Sequence, residues 1–301
     1  MNKEEQQYLE LVKELVDKAE SKGFRDVRDG HKRVSVFGRQ MRFDLSKGFP
    51  LFTHKKVFLR GVFEELMWFL RGQTDNKILM DKNVHIWDLW NDSLKDYGYP
   101  YGDLGAIYGE SWRDFGAVDG YKPYFNYNGD YVPERSTRTI VKGFDQIEWV
   151  VNEIKTNPTS SRLIVNSWNP HVHCVDGKAA LPPCHVLFQF FVDGNKLSCQ
   201  LYQRSSDTPT GASFNVAGYS LLTHLIAQQC DLEVGEFVWT IGDAHIYGDQ
   251  LEVAKEILKR DTYNFPTIKI NKAKDLYSYE WEDIEILDYV SGDKISIPVA
   301  K

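Results

Sequence analysis

Apolar residues near the amino end recur at the spacing of one helix face. Within residues 1–24 the stripe consists of Leu9, Val12, Leu15 and Val16, with charged residues between them. This is the pattern of an amphipathic helix, whereas the core of a signal peptide is a continuous apolar run. No stretch approaches the ~20 apolar residues that cross a membrane. We therefore expect a soluble, unexported, cytoplasmic protein.

A second helix is predicted over residues 58–70, where Val62, Leu66 and Phe69 share a face. Glu65 lies on the same face, between apolar residues on both sides. Most helix glutamates are solvated, so a position turned outward at a helix end is the ordinary interpretation. The apolar neighbours favour a carboxyl group with a raised pKa and a catalytic role.

The second half of the chain contains strand patterns. Residues 185–192 and 196–205 read as two strands joined by the turn Asp193-Gly194-Asn195. A helix over 215–229 and a short strand over 236–241 follow. In the second strand, alternation gives one face that we expect to line something polar. The residues on this face are Ser198, Gln200, Tyr202 and Arg204.

Helices that alternate with hairpin-linked strands indicate an α+β fold. No linker or internal repeat divides the chain, so we predict one domain over residues 1–301. The one compositional shift is at residues 116–143, which are rich in Tyr, Asn, Gly and Asp. Asn128-Gly129 is a hairpin-turn signal within it. We interpret this segment as an inserted loop or hairpin.

The composition is that of a globular protein with an acidic balance. The 36 Lys+Arg against 43 Asp+Glu give a formal net charge of −7, which argues against a polynucleotide partner. A small anion held by a few local arginines remains compatible with this charge. The four cysteines are too few for a disulfide framework. The aromatic content of 14 % suits either a core or a pocket for planar heterocycles.

One cysteine lies in a stiff segment, LPPCH, where two prolines precede Cys184 and His185 follows it. This setting, with the strand of Arg204 nearby, favours a thiolate nucleophile. For Cys199 and Cys230 a buried structural role is the better interpretation. A metal site is the alternative, but the available ligands do not have zinc spacing. They are His171, His173, Cys174, Cys184 and His185.

These motifs resemble the thymidylate synthase family, in the same order and at similar spacing. The resemblance covers nearly the whole chain apart from the first helix and residues 116–143. It rests on FGRQMRFDLSKGFPL (37–51), EELMWFLRG (64–72), NVHIWDLW (83–90), DLGAIYGESWR (103–113), LPPCH (181–185), QLYQRSSD (200–207), FNVAGYSLLTHLIAQQ (214–229), GDAHIY (242–247) and PVA (298–300).

The resemblance implies reductive methylation of dUMP, with 5,10-methylenetetrahydrofolate as donor of both the carbon and the hydride. It also implies a single α+β domain with a mixed sheet packed with helices, and a homodimer that forms through this sheet. No metal and no nucleic acid are expected to take part.

The resemblance further implies a role for individual residues. Cys184 would add to ring carbon six of the pyrimidine, and Glu65 would organise protons at its carbonyl. Tyr108 would lie near the proton removed from carbon five, and Asn215 would read the pyrimidine edge. His245 and Tyr247 would hold the sugar hydroxyl. The phosphate would be met by Arg28, Arg204, Ser205 and, from the second subunit, Arg162.

The folate would lie against aromatic and apolar groups, with the Asp207 carboxylate both catalytic and a hydrogen-bond partner of the pterin nitrogens. The full set implied for the folate is Trp87, Trp90, Leu181, Asp207, Gly211, Phe214 and Ala300.

Three departures from the family pattern stand out. Ser161 precedes Arg162 where two adjacent arginines are usual, and Lys32 or Arg33 are candidates to compensate. Lys301 ends the chain where an aliphatic residue is usual. A polar segment follows Asp207, with Thr208, Pro209, Thr210 and Ser213 expected on the folate side.

These departures leave two alternatives open. The first is a dUMP hydroxymethylase, in which water replaces the hydride because the site closes less tightly. The retained tryptophans favour methylation, and Asn215 favours uracil over cytosine. The second is a non-catalytic nucleotide- or RNA-binding homologue, which the number of retained chemical residues and the net charge of −7 disfavour.

Overall fold

In the computed structural model, residues 2–27, 30–116, 118–122, 137–176 and 179–299 are described, with side chains omitted for 118–122, 137–141 and 175–176. The helices are α1 (Lys3–Lys22), α2 (Leu59–Leu70), α3 (Lys77–Asp81), α4 (Tyr108–Arg113), α5 (Gln146–Thr156), α6 (Thr208–Gln229) and α7 (Leu251–Leu258). The strands are β1 (Arg25–Asp26), β2 (Lys32–Asp44), β3 (Val118–Lys122), β4 (Thr137–Val141), β5 (Ile164–Asn166), β6 (His185–Asp193), β7 (Lys196–Asp207), β8 (Glu233–Tyr247), β9 (Thr267–Ile270) and β10 (Ile284–Leu287).

A six-stranded mixed sheet organises the molecule, in the order β1-β2-β8-β7-β6-β5. All neighbouring pairs are antiparallel except β7 and β8, which run parallel. The central helix α6 packs on β7 and β8, and α1 packs on β2. This single domain with a mixed sheet and packed helices confirms the predicted α+β fold.

The predicted amino-terminal helix is confirmed, and local chemistry explains both of its ends. The side chain of Asn2 accepts hydrogen bonds from the first-turn amides of Glu4 and Glu5, as an N-cap does. Gly23 ends the helix at a φ of 73°, a conformation that favours glycine. The predicted stripe is buried.

Two predicted boundaries were wrong. Helix α6 begins at Thr208 rather than at residue 215, because Asp207 caps it and Pro209 fits its first turn. Strand β8 runs from Glu233 to Tyr247 rather than over 236–241. Its polar end continues the ladder because both of its edges are paired, with β2 and with β7.

One face of the sheet is buried beneath the helices, and the other carries exposed large side chains. Phe37, Ile164, Phe191 and Tyr202 are 84, 41, 64 and 37 % exposed. Their strand neighbours Val36, Val165, Phe190 and Leu201 point into the core and are buried. The face predicted to be polar in β7 therefore belongs to a surface that also carries aromatic and aliphatic groups.

The segment 116–143 contains β3 and β4, which pair antiparallel with Val118 opposite Val141. The predicted turn at Asn128-Gly129 lies outside the described residues, as do Arg28, Ala300 and Lys301.

Candidate active site

Cys184 lies at the junction between a proline-containing loop and β6. Its amide N–H donates to the hydroxyl oxygen of Tyr108 at 2.8 Å, and its carbonyl accepts from the amide of Arg204 at 2.7 Å. The amide of His185 lies 3.4 Å from the same hydroxyl oxygen. Cys184 is therefore held between α4 and β7 through its backbone.

The guanidinium of Arg204 is the cation beside the thiol, with Nη2 3.7 Å from Sγ of Cys184. It also donates to the carbonyls of Pro182 and Pro183, at 3.3 Å each. Burial raises the pKa of the Cys184 thiol, and the charge of Arg204 acts in the opposite direction. The thiol is thus protonated at rest, with a positive charge positioned to stabilise a thiolate when one forms.

The expectation that the neighbouring imidazole activates the thiol was wrong. The ring of His185 packs against the rings of Tyr108 and Tyr219, with centroids 5.0 and 5.1 Å away. Burial lowers the pKa of His185 to about 4, which its hydrogen bond with Asn215 only partly opposes. His185 is therefore neutral, and the positive charge near Cys184 comes from Arg204.

Glu65 faces a small cavity that it lines together with Phe69, His185, Phe214 and Asn215. Burial raises its pKa to about 7, which agrees with the interpretation of its apolar helix face. The indole N–H of Trp87 donates to Oε1 of Glu65 at 2.8 Å and partly offsets this shift. A carboxyl group with a pKa near neutrality can both give and take protons.

The amide of Asn215 is held by residues that sequence reasoning missed. Nε2 of Gln203 donates to Oδ1 of Asn215 at 3.0 Å, and the indole N–H of Trp239 donates to Oε1 of Gln203 at 2.8 Å. The indole of Trp239 can only donate. This series of hydrogen bonds therefore fixes which end of the Gln203 and Asn215 amides is the oxygen. Strand alternation placed Gln203 on the buried face of β7, and a polar residue among Leu197, Cys199 and Leu201 was the available signal.

The residues implied for the sugar lie on the neighbouring strand end. In β8, His245 stands beside Asp207 of β7 in the parallel register, and the rings of His245 and Tyr247 lie 5.1 Å apart. Ser205 stands beside Asp243, whose carboxylate accepts from Arg33 at 2.8 Å. One end of the sheet therefore brings Ser205, Asp207, His245 and Tyr247 together.

The cations implied for the phosphate are only partly brought together. Arg204 lies in the site, whereas Arg162 is exposed just before β5. Arg28 lies outside the described residues. Arg33, a candidate to compensate for Ser161, pairs with Asp243 near Ser205. Lys32 instead lies 3.9 Å from Asp26.

Among the groups implied for the folate, Phe214 lines the same cavity and Trp87 contacts Glu65 on its wall. Trp90 packs edge-on against Trp87 at 5.5 Å between centroids. A methyl group placed on Gly211 would lie 3.3 Å from Oδ1 of Asn215. The absence of a side chain at Gly211 therefore leaves space beside the Asn215 amide. Leu181 is partly buried against the core.

The carboxylate of Asp207 has partners on two sides. Oδ1 caps α6 by accepting from the amide of Thr210 at 3.4 Å, and Oδ2 accepts from Nε2 of Gln250 at 3.0 Å. Thr208, Pro209 and Ser213 are buried, and Thr210 is half-buried. Three of the four polar-segment residues thus contribute mainly to the packing of α6. A carboxylate beside aromatic and apolar groups fits the pterin of a folate.

Within the described ranges, no group of three or more His, Cys, Asp and Glu side chains could hold a metal ion. Across the same part of the chain, no helix has the length and apolar character needed to span a membrane.

The site presents a half-buried thiol beside a guanidinium, with a carboxyl group of near-neutral pKa on the wall of an adjacent small cavity. Comparison with known proteins gives the family. The sequence model of the family described as thymidylate synthase matches residues 6–301. The chain belongs to the thymidylate synthase family.

Two curated relatives illustrate this membership. The chain is 44 % identical to the thymidylate synthase of Francisella philomiragia over 294 residues, which cover 94 % of this chain and 95 % of that protein. It is 43 % identical to the bifunctional dihydrofolate reductase-thymidylate synthase of Paramecium tetraurelia over 305 residues, which cover 99 % of this chain and 61 % of that protein. The family activity is the methylation of dUMP to dTMP, a methyltransferase reaction that uses folate, and the hydroxymethylase alternative is not favoured.

Proposed function

We propose that this chain methylates dUMP to dTMP through a covalent adduct at Cys184. The observation that carries the proposal is the guanidinium of Arg204 at 3.7 Å from the thiol sulfur. The co-substrate 5,10-methylenetetrahydrofolate supplies the one-carbon unit and the hydride, and leaves as dihydrofolate.

The first step is addition of the Cys184 sulfur to ring carbon six. The thiol gives its proton to solvent water, the S–C bond forms, and the electron pair of the ring double bond moves through carbon five onto the carbonyl oxygen. Glu65, whose pKa is about 7, gives a proton to that oxygen and takes it back in the reverse step. Carbon five is then the nucleophile that takes the one-carbon unit.

A proton must later leave carbon five, and we assign this region to Tyr108. Burial raises the pKa of Tyr108 above its usual range, so the phenol keeps its own proton at rest. Its hydroxyl oxygen accepts hydrogen bonds from the backbone amides of Cys184 and His185. We therefore propose that Tyr108 relays the proton through its hydroxyl group, which the two amides hold in place. It does not act as a resting phenolate base.

The nucleotide is held along the end of the sheet. Asn215 reads the pyrimidine edge with its amide fixed by Gln203, and His245 and Tyr247 hold the sugar hydroxyl. The phosphate is a dianion, which guanidinium groups bind through paired hydrogen bonds. Four groups are proposed to bind it. These are Arg28, Arg204, Ser205 and the Arg162 of a second copy.

The folate binds against the aromatic wall of the cavity. Phe214 already lines the cavity with Glu65, and Trp90 packs on Trp87 at its edge. Asp207 accepts hydrogen bonds from the pterin. The complete proposed set is Trp87, Trp90, Leu181, Asp207, Gly211, Phe214 and Ala300.

A homodimer that forms through the sheet follows from the same proposal. The uncovered face carries Phe37, Ile164, Phe191 and Tyr202, which are exposed in the single chain. Apolar groups of this size on one face are typical of a surface buried in an assembly. We propose that the second copy covers this face and supplies Arg162 to the phosphate.

Two further assignments belong to the proposal. The chain forms one domain, with residues 116–143 as an insertion carried on the β3–β4 pair. The protein is located in the cytoplasm, in keeping with its four cysteines, which are all free thiols.

The test is incubation of the protein with dUMP and 5,10-methylenetetrahydrofolate while dihydrofolate absorbance is recorded. We expect dTMP and dihydrofolate in equal amounts. Formation of 5-hydroxymethyl-dUMP without dihydrofolate would contradict methylation, and absence of any nucleotide product would contradict the catalytic role.

A further inference from the structure

The side chain of Gln250 is fully buried and joins three segments of the chain. Its Oε1 accepts from the amide of Tyr247 at 3.0 Å. Its Nε2 lies 2.8 Å from the carbonyl of Pro298, 3.0 Å from Oδ2 of Asp207 and 3.3 Å from Oγ1 of Thr210. Because a backbone N–H can only donate, the contact with Tyr247 fixes the amide so that Nε2 faces Asp207 and Pro298.

These partners belong to different parts of the proposed site. Tyr247 ends the strand assigned to the sugar, Asp207 is the carboxylate assigned to the folate, and Pro298 lies in the carboxyl-terminal segment. We propose that Gln250 is a positioning residue that ties this segment to the carboxylate of Asp207, so that seating of the segment and orientation of the carboxylate depend on one side chain. The inference rests on the proposed folate role of Asp207.

The physical basis is that the amide has two N–H groups and a dry environment. If the segment at Pro298 lifts away, one buried N–H loses an acceptor, which costs stability. A seated segment is therefore favoured while Gln250 keeps its orientation. The second N–H stabilises the anion of Asp207. Burial raises the pKa of this carboxyl group, and the hydrogen bond from Gln250 lowers it.

Other charged or titratable groups also face Asp207 and must be kept constant in any test. His245 approaches from β8 and acts electrostatically on the carboxyl group. Lys55 approaches from the loop before α2, and Tyr8 approaches from α1. None of these groups contacts Gln250 through a described hydrogen bond, so substitutions at Gln250 leave them in place.

Two variants test the proposal. Gln250→Leu removes every hydrogen bond of the side chain at similar volume. Gln250→Glu keeps the acceptor for Tyr247, and so protects the fold, but loses both N–H donors. We expect each to raise the KM for 5,10-methylenetetrahydrofolate about tenfold or more, the size of a lost hydrogen bond to a charged group. For Gln250→Glu we expect the KM for dUMP to change less than about twofold, because the backbone of Tyr247 keeps its partner.

A pH profile distinguishes positioning from general loosening. In Gln250→Glu two carboxyl groups face each other, share a proton at low pH and repel when both are ionised. The folate KM of this variant should therefore rise as the pH rises. In the unaltered protein Asp207 has a raised pKa and loses its charge as the pH falls, so its folate KM should change in the opposite direction.

The matched control is Gln229→Leu. Gln229 is also buried and donates to the carbonyl of Ala273 and the hydroxyl of Tyr279, away from Asp207. Its replacement should lower the free energy of unfolding without changing the folate KM. If both Gln250 variants behave like Gln229→Leu, the proposal is overturned.

One binding measurement and one exchange measurement address the coupling directly. With dUMP bound, the Kd of tetrahydrofolate is measured by tryptophan fluorescence for Gln250→Leu, Asp207→Asn and the double variant. We expect the Gln250→Leu effect to shrink when Asp207 is already replaced, whereas full additivity would contradict the proposal. Deuterium uptake over residues 292–299 should rise in both Gln250 variants, and unchanged uptake would also overturn it.

The outcome is separable from that of the proposed function. Dihydrofolate formation by the unaltered protein tests the function alone. If that activity is present and the Gln250 variants keep the normal folate KM, only the positioning role fails.

Discussion

The guanidinium of Arg204 lies 3.7 Å from the sulfur of Cys184, and the amide of Arg204 also donates to the carbonyl of Cys184. The cation and the nucleophile are thus joined through the backbone as well as through their side chains. Desolvation raises the pKa of this half-buried thiol. On the proposed mechanism, the fixed charge of Arg204 stabilises the thiolate during addition.

Replacement of Cys184 by Ser should abolish turnover, since an alcohol in this position is a far weaker nucleophile than a thiolate. Binding of dUMP should persist, because the pyrimidine and phosphate contacts are made by other residues. Single-turnover assays and equilibrium dialysis with dUMP measure the two effects. Cys174→Ser, at an exposed cysteine, is the control and should remain active. Retained activity of Cys184→Ser would show that the nucleophile lies elsewhere.

Replacement of Arg204 by Gln should raise the pKa of the Cys184 thiol further, because the cation that opposes the effect of burial is lost. The rate of alkylation by iodoacetamide, followed by mass spectrometry across pH, reports this pKa. We expect its midpoint to move to higher pH in the variant. Lys13→Gln, at an exposed position of α1, removes a cation away from the site and should leave the midpoint unchanged. A midpoint unaffected by Arg204→Gln would mean that the guanidinium does not stabilise the thiolate.

Glu65 should make stability depend on pH in a predictable direction. Its pKa is about 7 in the folded chain and about 4.3 when unfolded, so the folded state holds an extra proton between these values. The free energy of unfolding should therefore fall as the pH rises from about 4.5 to 7, by up to about 3 kcal/mol. Urea unfolding at several pH values measures this dependence.

The contribution of Glu65 is isolated by comparison with Glu65→Gln, which keeps the shape and does not titrate. The difference in free energy of unfolding between variant and parent should grow with pH over the same interval. Titration of Glu65 should also give a step near pH 7 in the pH profile of kcat of the parent, and this step should be absent in the variant. A constant difference across pH would exclude a raised pKa for Glu65.

The sequence predicted those features that depend on local pattern, such as the face of α2 that carries Glu65 and the burial of alternate residues in β7. It did not predict that β8 continues through Asp243 and His245, because that depends on pairing with β2 and β7. Nor did it predict the imidazole environment of His185, which is set by packing against distant rings.

Long-range hydrogen bonds were also beyond the reach of sequence pattern. Gln203 is placed beside Asn215 by the turn from β7 into α6, and Gln250 is placed beside Asp207 by the crossing of three segments. Each is one amide among many in the sequence. Only the folded arrangement shows which acceptors they face, so the residues that orient the site emerged from the structure.

The proposed dimer makes a prediction about the exposed sheet face. Phe191→Asp places a charge on an apolar surface, so we expect sedimentation to show a monomer and dTMP formation to fall at least about tenfold. Asn152→Asp, at an exposed polar position of α5, is the control and should remain dimeric. An active monomer of Phe191→Asp would contradict the need for a second copy.

Subunit mixing tests whether Arg162 acts across the dimer. Cys184→Ser and Arg162→Ala are each expected to be poorly active alone, since every site lacks either the nucleophile or a phosphate cation. In a mixed dimer, one site combines the intact Cys184 of one chain with the intact Arg162 of the other. Random exchange should therefore restore about a quarter of the normal activity, from half of the dimers with one good site each. If Arg162 acted within its own chain, no site in the mixture would improve, and activity would stay at the mean of the two variants.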